Sequence, residues 1–203
     1  KFTKYLKRMY KNIILASKSQ VRKQILDKNN VNSEVCASNV DEDVIKKSLL
    51  RDGANPELIS KSLAELKANK ISQKEPNKIV LGADSVIDLN GEIISKPQNR
   101  QEALDILKKL NGKKHYLISS VCISRDGTMI WNYTDRAVLT MKNMKEEDLK
   151  KYLKQIKDKD LYAYNVYQIE GLGKTLFSNI EGDKDTIMGL PVKKIKKYLA
   201  TLK

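Results

Sequence analysis

Asn12-Ile13-Ile14-Leu15-Ala16-Ser17-Lys18-Ser19-Gln20-Val21-Arg22-Lys23 decides the fold. Ile13 to Ala16 is a short apolar run of the kind that makes a buried strand. Ser17-Lys18-Ser19 is a turn rich in hydroxyls. Val21, Ile25 and Leu26 then recur on one helical face. A strand feeding a helix through a tight turn is how an α/β domain begins.

The alternation continues outward. Residues 31–36 read as a second strand, and residues 44–50, after Asp41-Glu42-Asp43, as a helix. A longer helix is expected from Pro56 to about Ile71. Asn55 is its N-cap, Pro56 takes the first helical position, and Leu58, Leu63, Ala64 and Leu66 mark its period. Residues 79–84 read as a buried strand that ends in a carboxylate, and residues 86–94 as a hairpin about Asn90-Gly91, a type I′ signal. Asn99 caps a helix that runs to Leu110 and closes at Asn111-Gly112. Residues 116–124 and 129–140 read as strands joined at Arg125-Asp126-Gly127. Residues 146–156 are helical, residues 166–180 glycine-broken and strand-like, and Pro191 starts a final helix through Val192, Ile195 and Leu199. The pattern predicts a single α/β domain over residues 1–203, with a mixed sheet and flanking helices. Residues 1–10 are a candidate N-terminal extension, with Met9 a candidate start.

Composition narrows the function. Of 203 residues, 40% are hydrophobic, adequate for one folded core. No apolar run approaches the ~20 residues that span a bilayer. Two cysteines exclude a disulfide scaffold; with the single histidine, His115, they exclude a zinc cluster of about four N or S ligands. A Ser-His-Asp triad would have to use His115, and no nucleophile motif accompanies it. The net charge is +14. Charge of that size suits an anionic partner, but it is scattered and nearly all lysine. A phosphate-bearing small substrate fits it without a stable nucleic-acid complex. The basic stretch Lys1 to Arg8 has no apolar region after it, so the expectation is a cytoplasmic protein with no membrane association.

Four constellations carry chemistry. Ser17-Lys18-Ser19 with Arg22 and Lys23 sets hydroxyls, cations and free helix N–H groups around one point, a phosphate cradle; an ordinary serine-capped helix has the same sequence. Gly82-Ala83-Asp84-Ser85 places a carboxylate beside two small residues, where it could hold Mg²⁺ or orient a water. Lys96, in Ser95-Lys96-Pro97, offers a point charge to a phosphate. Asp41-Glu42-Asp43 offers metal-ligating carboxylates or a solvated helix start. Gly171-Leu172-Gly173-Lys174-Thr175 mimics the end of a P-loop, but Gln168 stands where the motif needs its first glycine, and Leu176 to Ile180 reads as strand. Cys36 and Cys122, each in a strand-like run, read as buried structural thiols.

Taken in order, these motifs resemble the Maf family of nucleoside triphosphate pyrophosphatases. Leu15-Ala16-Ser17-Lys18-Ser19-Gln20-Val21-Arg22-Lys23 is similar to the family's opening Leu-Ala-Ser-x-Ser-Pro-x-Arg-Arg, with Gln20 for the proline and Lys23 for the last arginine. Gly82-Ala83-Asp84-Ser85, Ser95-Lys96-Pro97, Glu170-Gly171-Leu172-Gly173, Ile180-Glu181-Gly182-Asp183 and Gly189-Leu190-Pro191 match its later blocks. The resemblance implies a mixed twisted sheet like that of inosine triphosphate pyrophosphatases, with two lobes around a cleft. It implies hydrolysis of a nucleoside triphosphate to the monophosphate and pyrophosphate with a divalent cation, Mg²⁺ or Mn²⁺. Asp84 takes the catalytic position, as base or metal ligand. Ser17, Arg22, Lys67 and Lys96 take phosphate-binding positions, and Glu42 joins Asp84 as a metal-associated carboxylate. Val21, Ser85 and Glu170 fall where family branches differ in the base they select, and their cues conflict: Ser85 keeps the hydroxyl of the thymidine and uridine branch, while Glu170 matches the 7-methyl-guanosine branch. A role in clearing non-canonical nucleotides, a link to restraint of septum formation and a homodimer are further implications. The alternative is a non-catalytic, nucleotide-sensing regulator of septation.

Overall fold

The protein is described by a computed structural model over residues 13–164 and 166–202; the expected extension at residues 1–10 lies outside the described residues. β1 (Ile13–Leu15) is wholly buried and leads through the serine turn into α1 (Gln20–Lys28), where the Ser19 hydroxyl accepts the Arg22 N–H as N-cap. β2 (Ser33–Val35) follows, then α2 (Glu42–Arg51), capped by Asp41, and α3 (Pro56–Ser72), capped by Asn55. β3 (Ile79–Leu89) and β4 (Glu92–Ile94) form the hairpin, turning at Asn90 and Gly91 with φ of 52° and 87°, the left-handed pair of a type I′ turn. α4 (Arg100–Leu110), β5 (Lys114–Arg125), β6 (Thr128–Met141), α5 (Glu146–Gln155) and α6 (Asp158–Tyr164) come next. A 3₁₀ turn (Leu172–Leu176), β7 (Phe177–Glu181), α7 (Lys184–Ile187) and α8 (Val192–Leu199) complete the order. Among the described residues no helix is long and apolar enough to cross a membrane.

The seven strands make one mixed sheet in the order β2-β1-β3-β5-β6-β7, with β4 beside β3. β1 pairs in parallel with β2 and β3, and the other ladders are antiparallel. β5 runs along β3 from Val80 to Asp88 and occupies one edge of it. The other edge is divided: β1 pairs with Ile79, Val80 and Leu81, and β4 with Ile87, Asp88 and Leu89. On that edge residues 82–86 lie between them with no strand alongside among the described residues. Strand alternation turns Gly82 and Asp84 toward α3, and Ala83 and Ser85 toward the opposite face. Two buried clusters adjoin this stretch. One joins Leu81 and Ala83 to Leu15, Ile25, Leu26 and Ile195; the other joins Ile87 and Leu89 to Leu107, Leu139 and Leu149.

Three expectations are corrected. The strand does not stop at Asp84 but runs five residues further, to Leu89; a cation from α3 makes a carboxylate tolerable in mid-strand, as shown below. On α3, Leu58 and Leu66 are 49% and 40% exposed, whereas the buried face carries Ser60, Leu63, Ala64, Lys67, Ala68 and Ile71. Of the stretch 166–180, only Phe177 onward is strand; helix α6 and the 3₁₀ turn precede it. Cys122 is buried, its thiol pushed up to about 11 by burial, and Cys36 is half-buried.

His115 on β5 is fully buried. Its Nε2 lies 3.0 Å from the Tyr167 hydroxyl, and its Nδ1 has no partner among the described residues. Burial lowers its pKa from 6.5 to about 4. Between those values an unfolded chain takes up a proton that the folded chain refuses, so stability is complete above pH 6.5 and lost as pH falls toward 4. The loss attributable to His115 is about 3 kcal/mol. Urea unfolding of the wild type and His115→Gln at pH 7 and pH 4.5 checks this: the variant should lose distinctly less stability on acidification, and equal losses would remove His115 as the cause.

Candidate active site

The gap along β3 gathers the charged residues. Lys67 projects from the buried face of α3 and is itself 4% exposed. Its ammonium lies 2.8 Å from Glu42 Oε1, 3.0 Å from Asp84 Oδ1 and 3.4 Å from the Ala83 carbonyl. Those three acceptors match its three N–H donors. Ser60, two turns earlier on the same buried face, donates to the Asp84 carbonyl at 3.1 Å, so α3 is tied to β3 at two points. Glu42 enters from the first turn of α2, with Lys46 4.0 Å from its other oxygen. The second Asp84 oxygen, Oδ2, is buried and hydrogen-bonded to nothing among the described residues.

The two carboxylates are tuned in opposite directions. Burial raises the pKa of Asp84 above its usual range, against the pull of Lys67 and Arg22, and the charge of Glu42 adds to the rise. Burial pushes Glu42 up as well, but the charge and hydrogen bond of Lys67, with Lys46 and Arg22, outweigh it and leave that carboxyl low. Separated pKa values on neighbouring carboxyls are a mark of acid–base sites.

Arg22 reaches the same gap from the other face. Its Nε donates to the Gly189 carbonyl at 3.0 Å, Nη1 to Ser17 Oγ at 3.2 Å and Nη2 to Ser85 Oγ at 3.2 Å. Ser17 also accepts the Ser19 N–H at 3.2 Å. Burial lowers the Arg22 pKa while Asp84 and Glu42 oppose it; a guanidinium remains charged regardless. Lys96, after β4, feels the same cluster. Desolvation lowers its pKa and the charge of Arg22 adds to that, with Glu42 and Asp84 pulling the other way.

The structure thus brings together Asp84, Glu42, Lys67, Arg22, Ser17, Ser85 and Lys96. Lys67 differs from expectation in holding two carboxylates rather than presenting free donors. Val21 is buried in the apolar cluster with Ile25 and Leu190. Glu170 is paired at the surface with Lys184 at 2.8 Å, and that hydrogen bond holds its carboxyl low. Asp41 is occupied as a helix cap. Lys46, Ser60 and Ser119 fall in none of the motifs quoted above, and Gly189 falls in one without its contact to Arg22 being foreseen. Ser119-Ser120, two hydroxyls inside the apolar run Leu117 to Ile123, is the signal that could have found one of them.

Among the described residues no three His, Cys, Asp or Glu side chains form a metal-binding group. The oxygens still suit a hard cation. Mg²⁺ commonly takes one or two carboxylates and fills its shell with substrate oxygens and water. Asp84, with its unpartnered Oδ2, and Glu42 supply that number.

The sequence matches the family model described as Maf-like protein over residues 12–202. It is 70% identical to a nucleoside triphosphate pyrophosphatase of Pelagibacter ubique (strain HTCC1062) over 96% of this chain and 100% of that one. It is 36% identical to a 7-methyl-GTP pyrophosphatase of Brucella abortus biovar 1 (strain 9-941), covering 89% of this chain and 90% of the other. Among solved structures it aligns with a nucleoside-triphosphatase / dITP/XTP pyrophosphatase from Mycobacterium abscessus at TM-score 0.42 and 13% identity, over 93% of this chain and 92% of that one.

Close approach of α3 to β3 makes the site. A Cβ built on Gly82 would lie 2.2 Å from the Ala64 carbonyl oxygen and 2.9 Å from Ala68 Cβ, so only glycine lets Lys67 descend to Asp84. Gly82→Ala should push α3 away, at a cost of about 3 kcal/mol or roughly 10 °C in Tm, and lower turnover beyond what the lost stability explains. Calorimetry and activity well below the variant's Tm check both parts. A variant as stable and active as the wild type would show that α3 is not seated on Gly82.

Proposed function

Because the chain belongs to the Maf-like protein family, we propose that the gap along β3 hydrolyses a nucleoside triphosphate to the monophosphate and pyrophosphate. The observation that carries this reading is the Asp84 carboxyl: buried, raised in pKa against the charges of Lys67 and Arg22, anchored through Oδ1, with Oδ2 uncommitted among the described residues. The relatives named above support the reaction class.

Each residue then has a task. Lys67 fixes Asp84 in one orientation and favours its ionised form against the effect of burial. Asp84 Oδ2 takes the proton of a water that attacks the α-phosphorus, which a raised pKa favours. The bond from the α-phosphorus to the bridging oxygen breaks, and pyrophosphate leaves carrying the developing charge. Arg22 and Lys96 neutralise that charge. Ser17, which accepts two hydrogen bonds, keeps its own proton to donate to a phosphate oxygen. A divalent cation, Mg²⁺ or Mn²⁺, held by Glu42, Asp84 and the substrate's phosphate oxygens, would add charge neutralisation at the phosphates. Its direct share of Asp84 is limited wherever that carboxyl serves as base.

The test is a panel of normal and modified nucleoside triphosphates with Mg²⁺ or Mn²⁺, assayed for pyrophosphate. Release from at least one member is expected. Binding without turnover across the panel would instead favour a nucleotide sensor. In the active protein, Asp84→Asn should lower turnover by about 10³-fold while the chain still folds, because the amide fills the same space and its oxygen still accepts from Lys67 but it cannot take the proton. Near-normal turnover in that variant would transfer the role to Glu42.

A further inference from the structure

Ser85 and Ser119 face each other across the β3–β5 ladder, and Ser119 faces Asp135 across the next. The three form one row on the Arg22 face of the sheet, and α7 lies over it: the Thr186 hydroxyl donates to Asp135 Oδ2 at 2.7 Å. The Ser119 hydroxyl lies 2.8 Å from the Thr186 carbonyl and 2.8 Å from Ser85 Oγ. A serine has a single proton to donate. A carbonyl can only accept, so the Ser119 proton goes to Thr186, and the contact with Ser85 must be made by the proton of Ser85. Ser85 therefore turns its lone pairs toward Arg22, whose Nη2 donates to it at 3.2 Å.

We propose that Ser119 is a positioning residue: it fixes the direction of the Ser85 hydroxyl and, through it, the Arg22 guanidinium. The inference rests on the reading of Arg22 as the phosphate-binding cation. Ser119 is fully buried and acts only through its neighbours. Without its acceptor, the Ser85 proton is free to turn toward Arg22, where it meets an N–H instead of offering a lone pair. The guanidinium then keeps Gly189 and Ser17 but loses its third anchor. The two serines on Arg22 also differ in what they offer a substrate. Ser17 retains a proton to donate, whereas Ser85 presents only an acceptor.

The test is a double-mutant cycle read by calorimetric binding of inorganic tripolyphosphate and by kcat/KM on a triphosphate that is turned over. Ser119→Ala and Ser85→Ala should each weaken tripolyphosphate binding by about tenfold, the scale of one hydrogen bond to a charged group. The double variant should be no weaker than Ser85→Ala alone. Ser119→Cys, close in size but a poor acceptor, should act like the alanine and serves if Ser119→Ala does not fold. Losses that add in full, or none from either Ser119 variant, would overturn the proposal, as would a wild type that does not bind tripolyphosphate. Binding that obeys the cycle in a protein that releases no pyrophosphate would keep Ser119 in this role and sink the pyrophosphatase reading instead.

Discussion

A buried lysine held between two carboxylates organises this protein. Lys67 alone among the lysines of α3 is drawn into the core, and its ammonium is accepted by Asp84, Glu42 and the Ala83 carbonyl. A charge so far from water is tolerable only when its donors are matched by anionic or carbonyl acceptors. The match ties three elements, α2, α3 and β3, to one point. It also explains how a central strand carries an aspartate in its sixth position without ending there.

Topology supplies the opening. β1 and β4 share one edge of β3 and leave residues 82–86 uncovered between them. Because neighbouring strand residues point to opposite faces, the gap exposes two chemistries at once. Asp84 meets the carboxylate and ammonium groups on the α3 side, and Ser85 meets the guanidinium on the side of α1 and α7. Gly82 and Gly189 are both required by close approach: the first lets α3 settle on the sheet, and the second, at φ 104°, places its carbonyl on Arg22 with Ser85 Oγ only 3.2 Å from where a Cβ would stand.

Most of the scaffold was legible in the sequence because its signals are local. Asn55, Asn99 and Asn90-Gly91 act within a few residues of themselves, and the structure uses each as expected. What was not legible depends on partners far along the chain. Asp84 looked like a strand end because its compensating lysine lies 17 residues away on a helix. The buried face of α3 departs from residue type: Ser60 and Lys67, both polar, belong to the buried side, while Leu58 and Leu66 do not. Short helices such as α7 give too little periodicity to detect. The ordered motifs located Asp84, Arg22 and Lys96, but the roles of Ser119 and Gly189 follow only from the hydrogen bonds that close around Arg22.

The proposed chemistry depends on Asp84 being a buried carboxyl whose ionisation is set by burial against Lys67. Its titration can be followed directly by ¹³C NMR of the side-chain carboxyl in the wild type and in Lys67→Met. The midpoint should lie above the ordinary aspartate value of 3.8 in the wild type and rise further in the variant, since the largest opposing charge has been removed. A wild-type midpoint at or below 3.8, or one that Lys67→Met leaves in place, would contradict the arrangement on which the proposed chemistry rests.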